Sequence, residues 1–424
     1  MIRTARGSRP AVAIRAVALA VVAWTLCVWP ATAQRPTVEV DPYTRGDAEA
    51  WAAAGYLASA PFAWAGKHDT EDVEDVLGVP LRWVETAHFR IGSSLPAIRV
   101  GNAERDAVRA ELKRLGERLP RVKSNTRELD PWLRLHLYAQ RVEELHADLC
   151  RRLGVTDADF PAEFDGDFAP PAGGGRYTGE GPHLGMPGKF TLLLLHKRTS
   201  LGRYRDRFTS QTEDTVVRGA WFEPLGMSVA VSTELLEQGW SRQADEPLPD
   251  AALHAHVAFH VSHSLVYGYG YYWYLLPFWL PEGVAHHYRR QADPRWNHFS
   301  WIESQEYRAE EGEPSWPARV RARVQHEYFP AADELMAWQD GTGRELADHM
   351  MIWSRIDYMF ARPTQDFASF FAQVKDHPRT EDWRLGYEQL LERQSQALQA
   401  AFGFDEAGFD AAWSEWVLDT YPRK

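Results

Sequence analysis

Residues 251–267 carry two interleaved stripes at helical spacing, and no other feature of the chain restricts its fold so tightly. Leu253, Val257, Val261 and Leu265 recur every four residues, with His256, His260 and His263 running beside them. Side chains four apart on a helix stand one above the other, so one face is buried and the next presents imidazoles. Asp250 is a residue type that caps a helix N-terminus and Gly268 a type that ends one. Together they predict a helix from Ala251 to about Tyr267. His256 and His260 can then place two rings on a single metal ion. His263 stands two turns from His256, about 10.5 Å along the axis, too far to complete the same tetrahedron. A third ligand has to come from another segment.

The rest of the chain supplies a setting for that helix. Trp83–Ile91 alternates roughly, Phe190–Leu195 is a continuous apolar run suited to a buried strand, and Met227–Ser232 alternates. Asp130 followed by Pro131 opens a helix that ends at Gly154, and Asn102 can cap a helix running to about Glu117. Asp47–Ala58 reads as a short Ala-rich helix, and Phe160–Lys189 as a loop rich in Gly, Pro and Asp. Beyond Pro249 the pattern is almost entirely helical. Strands followed by a block of helices indicate an α+β fold. The expected organisation is a helical arm over 34–79, a small mixed sheet with metal-bearing helices over 80–296, and a helical C-terminal subdomain over 297–424. A cleft should separate the last two, with Met227–Ser232 at its rim, where a peptide could add as a strand.

Met1–Arg15 is basic, Ala16–Pro30 is apolar and uncharged, and Ala31-Thr32-Ala33 precedes Gln34. That layout predicts a signal peptide over 1–33, cleaved after Ala33, and a secreted or periplasmic protein. Cleavage removes Cys27 and leaves Cys150, so there is no internal disulfide and stability must come from core burial. No second stretch of about 18 apolar residues follows, so no membrane span is expected in the mature chain. The formal net charge of −12 argues against nucleic acid, whose phosphates need a basic face. Eighteen Trp predict an aromatic core or an aromatic-lined cleft. Tyr267–Trp279 concentrates eight aromatics, either as a packed connector or as a cleft wall for a peptide or protein ligand.

Glu282 lies 22 residues beyond His260, in the segment Trp279-Leu280-Pro281-Glu282-Gly283-Val284-Ala285, which reads as the first turns of a helix. His256-x-x-x-His260 followed by Trp-Leu-x-Glu-Gly-x-Ala resembles the zinc site of gluzincin metallopeptidases, above all the secreted bacterial peptidase MA-like group. The resemblance extends loosely over residues 80–420. It takes in Thr86–Ile91, Met227–Ser232, and Ala400-Ala401-Phe402-Gly403 leading to Trp413. It implies a zincin-like domain with one Zn2+ held by His256, His260 and Glu282 and a water in the fourth position.

The family's motif is His-Glu-x-x-His, whereas this chain has His256-Val257-Ala258-Phe259-His260. Val257 therefore stands where the resemblance implies a general base, and losing a positioned base removes about 10²–10⁴ in rate. The expectation is a secreted, zinc-binding, metallopeptidase-like protein with peptide hydrolysis impaired or lost. Val257→Glu should restore turnover provided the cleft has not closed around the valine. One alternative is an active metallohydrolase that uses His263 or His286 as its base. Another is a metal-free extracellular binding or structural protein with an aromatic-rich surface. His286 follows Glu282 by four and shares its face, which suits an orienting role. The family's oxyanion-stabilising Tyr or His falls here on His349 or Met350. His254 and His287 read as structural or surface residues, and Arg308–Glu313 as a solvated helix face.

Overall fold

Five strands build the main sheet: β1 (Arg82–Glu85), β2 (Phe89–Ser93), β3 (Phe190–Leu195), β4 (Val217–Phe222) and β5 (Leu225–Ser232), in the order β1-β2-β3-β5-β4. The computed structural model describes residues 40–163, 178–212, 214–222, 225–239, 248–272, 276–297, 316–376 and 387–423. The expected signal peptide, the Arg308–Glu313 face and the aromatics Trp273 and Tyr274 lie outside those residues. β1 and β2 are antiparallel, β2–β3 and β3–β5 are parallel, and β5 returns antiparallel to β4. All six β3 side chains are buried, as a strand covered on both faces requires. Leu192 and Leu194 enter the larger core, while Leu193 and Leu195 join Leu201, Tyr204 and Val73 on the opposite face.

Met227–Ser232 is not at a rim. β5 is paired along its length to β3 on one side and β4 on the other, so it has no free edge to which a peptide could add. The edge strand on that side is β4, and β1 lies at the opposite edge. Alternation marks a strand with one buried face, but it carries no information on whether a neighbour lies beyond it.

Helix α1 (Pro131–Leu153) and helix α2 (Asp250–Gly268) cover the face of the larger core. α1 has the ends its sequence predicts. The Asp130 carboxylate accepts the Trp132 and Leu133 N–H groups at 2.9 and 3.0 Å, and Gly154 closes the helix at φ 64°. α2 departs from expectation at its start. Pro249 occupies the cap position, and Asp250 is fully buried instead of capping. Arg134 Nη2 and Arg141 Nη1 donate to its two oxygens at 3.0 and 2.6 Å, and the Tyr138 hydroxyl reaches one of them at 3.3 Å. Short sequence spacing could not reveal that use, because the partners sit more than a hundred residues away on α1.

Further helices that bear on the site and the C-terminal region include α3 (Trp279–Ala292), α4 (Trp316–Gln325), α5 (Leu346–Ala361), α6 (Thr364–Lys375), α7 (Tyr387–Phe402) and α8 (Glu406–Thr420). α2 packs along α3 and α3 against α5, so the helical C-terminal region is continuous with α2 and α3. Among the described residues, no helix is long and apolar enough to cross a membrane.

Burial would raise the Asp250 pKa, but the Arg141 and Arg134 guanidiniums outweigh it and hold it at about 2. A carboxyl depressed in the fold contributes stability above its ordinary value of 3.8, and that contribution is lost as pH falls toward about 2. Asp250→Ala should cost about 3–5 kcal/mol, because it removes the buried carboxylate that Arg134 and Arg141 share, leaving Arg134 without an ion-pair partner. Urea unfolding of wild type and Asp250→Asn across that window tests this: only wild type should lose stability there through this group.

Candidate metal centre

Gly283 brings the centre together. A Cβ at this position would lie 2.4 Å from Ile356 Cγ1 and 2.9 Å from Ile352 Cγ2, so a glycine lets α3 meet α5. The approach sets His349 of α5 against Glu282, the residue before the glycine. His286 follows one helical turn later on the same face of α3. Glu282 and His286 are completely buried and His349 nearly so.

Three donor atoms form a triangle. His286 Nε2 lies 3.5 Å and His349 Nδ1 3.3 Å from Glu282 Oε1, and the two nitrogens are 3.0 Å apart. Zinc bonds of about 2.0–2.1 Å in a tetrahedron place neighbouring ligand atoms about 3.3–3.4 Å apart. The triangle therefore has the size of one tetrahedral face, and its two imidazoles and one carboxylate could hold a metal ion. The second Glu282 oxygen is 3.7 Å from His263 Nε2, whose ring stacks on Tyr267.

Imidazoles within 4.0 Å of the Glu282 carboxylate include those of His263, His286 and His349. His256 and His260 face each other, with ring centroids 4.6 Å apart, and His260 Nδ1 accepts a bond from Arg218 of β4 at 3.4 Å. On α2, Phe259 and His263 form the i, i+4 pair beside α3, with the Phe259 ring 5.2 Å from that of His286. Counting residues fixes the histidine face of α2 but not how far α3 is shifted along it. That shift puts Glu282 level with His263. Of the two histidines read as structural or surface residues, His287 is buried 3.3 Å from Asp357, and His254 is half-buried 3.7 Å from Glu111.

The charge states suit a cation. Burial pushes His286 well below its ordinary pKa despite Glu282, and burial with Arg218 does the same to His260. Burial and Arg218 together take His263 to about 3. Burial would raise Glu282, but its bonds from His263 and His349 and the nearby His286 hold it well below the usual carboxylate range. Neutral imidazoles with an ionised carboxylate are the form that ligates metal.

Val257 is 1% exposed and packs in the larger core, so the space around it has closed. Part of the aromatic connector is packed too: Tyr269 is buried against Phe160 and Phe371. Comparison of the chain with protein-family models, curated proteins and solved structures finds no match. The donor geometry alone carries the reading of this site.

If the close approach at Gly283 is what assembles the triangle, Gly283→Ala should destabilise the protein by about 1–3 kcal/mol through overpacking. It should also abolish the rise in melting temperature on adding zinc. A variant that keeps the full zinc-dependent rise would detach the centre from this helix contact.

Proposed function

We propose that the protein is a zinc-binding, gluzincin-like protein that acts outside the cytoplasm and whose peptide hydrolysis is impaired or lost. The observation that carries the reading is the buried triangle of Glu282 Oε1, His286 Nε2 and His349 Nδ1. Those three residues would hold the ion, and His263 would orient the second Glu282 oxygen, as partners beyond the direct ligands do. Bound zinc would supply Lewis acidity and lower the pKa of a coordinated water. Glu282 is then committed as a ligand and cannot also move protons. Val257 carries no proton acceptor and faces the core. What remains is a metal centre suited to binding, with a peptide or protein ligand in an aromatic-lined cleft as the candidate partner.

A second reading, a working hydrolase with His263 as its base, is favoured by one observation. His263 Nε2 faces the carboxylate, and its Nδ1 has no hydrogen-bond partner among the described residues.

Metal analysis and peptide-library turnover on the purified mature protein test both readings. Glu282→Ala and His286→Ala should each bind one equivalent of zinc fewer than wild type. Turnover should be negligible at full zinc loading; strong turnover that vanishes in His263→Ala would establish the second reading. Metal-free wild type after zinc dialysis would remove both. Val257→Glu should now lower stability by several kcal/mol, since it buries a carboxylate in apolar packing. Its thermal unfolding and turnover, measured together, check that outcome.

A further inference from the structure

A second group of metal-binding side chains lies on other elements and shares no residue with the Glu282 centre. Glu143, His146 and Cys150 occupy positions i, i+3 and i+7 of α1 and so share one helix face. His88 precedes β2 and comes down onto that face. Its Nδ1 lies 2.6 Å from Glu143 Oε2, and its ring stacks on His146 at 3.7 Å between centroids. Donor atoms of His88, Glu143 and His146 all lie within 4.8 Å of one another. Cys150 Sγ is 3.7 and 3.9 Å from the two ring nitrogens of His146.

Hydrogen bonding alone accounts for only half of this arrangement. His88 is well served: Glu143 takes one ring nitrogen and Asp157, on the exposed side, lies 3.2 Å from the other. His146 is 2% exposed, and its side-chain hydrogen-bond partner among the described residues is the Cys150 thiol. A thiol is a weak partner for a buried imidazole. As a thiolate it is a strong metal ligand, and zinc bonds of about 2.3 Å to sulfur and 2.0–2.1 Å to nitrogen set the two atoms about 3.6 Å apart in a tetrahedron. The observed spacing is close to that value.

We infer that His88, Glu143 and His146, with Cys150 drawn in from its place beside His146, form a second site, for a thiolate-binding transition-metal dication of the zinc class. Binding replaces the proton shared by His88 and Glu143 and takes the Cys150 proton, and both leave to solvent. The mixed nitrogen, oxygen and sulfur donor set selects against magnesium and calcium, which take oxygen ligands.

The probe is Co2+ added to the metal-free full chain, because a cobalt–thiolate bond gives a near-ultraviolet charge-transfer band that imidazole and carboxylate ligands do not. Wild type should show the band, and equimolar Zn2+ should displace it. Cys150→Ser, a conservative change, should abolish the band while leaving circular dichroism unchanged. His146→Ala should bind one equivalent of zinc fewer than wild type. The band should persist in His286→Ala, so failure of the Glu282 centre and failure of this site read out separately. Absence of the band in wild type overturns the inference. A band that survives Cys150→Ser overturns it as well, because the sulfur would then be that of Cys27.

Discussion

The Asp250 carboxylate, shared between Arg134 and Arg141, holds the N-terminus of α2 against the middle of α1. Taking these charges out of water is costly and is offset only while the geometry is complete. The network extends to Glu111, which takes two bonds from Arg141, and to Glu104, which accepts the Ala251 N–H. Two long helices on one sheet face could slide along each other with little change in apolar area. A buried ion network cannot, because a shift of one turn would leave its charges unpaired. The axial position of every imidazole on α2 follows from this anchor.

A second constraint meets the first at the metal centre. Gly283 sets the depth at which α3 enters the α5 surface, and the α2 anchor sets which histidine stands level with Glu282. The far end of α2 is held as well. Lys375 on α6 is buried and donates to the Tyr267 and Tyr271 carbonyls at 2.7 and 3.1 Å, while the Tyr267 ring stacks on His263. Burial lowers this lysine to about 7. The imidazoles around Glu282 are therefore placed by groups at both ends of α2 and by a helix–helix contact beside it, the kind of support a preorganised site needs.

The packing around Val257, the position where the gluzincin resemblance would put a general base, separates that residue from the Glu282 cluster. Val257 belongs to the apolar stripe that packs α2 on the sheet, so a carboxylate there competes with the core. Glu282, His286 and His349 lie where α3 meets α5, with their donor atoms within 3.5 Å of one another.

Much of the fold is legible in the residues alone. The Asp130-Pro131 start and Gly154 end of α1, the buried run Phe190–Leu195, the helical block after Pro249, and Glu282 in the first turn of its helix all follow from local pattern and capping chemistry. Those features depend on neighbours within a few residues, and sequence records such neighbours directly. The tertiary structure alone decided that Met227–Ser232 is an interior strand, that Asp250 is an ion-pair anchor, and that His349, 67 residues on, closes a triangle with Glu282 and His286. Each is a contact between distant segments, set by the axial shift and separation of packed elements. A periodic stripe specifies which face of a helix is buried, and it is silent on what stands opposite and at what height.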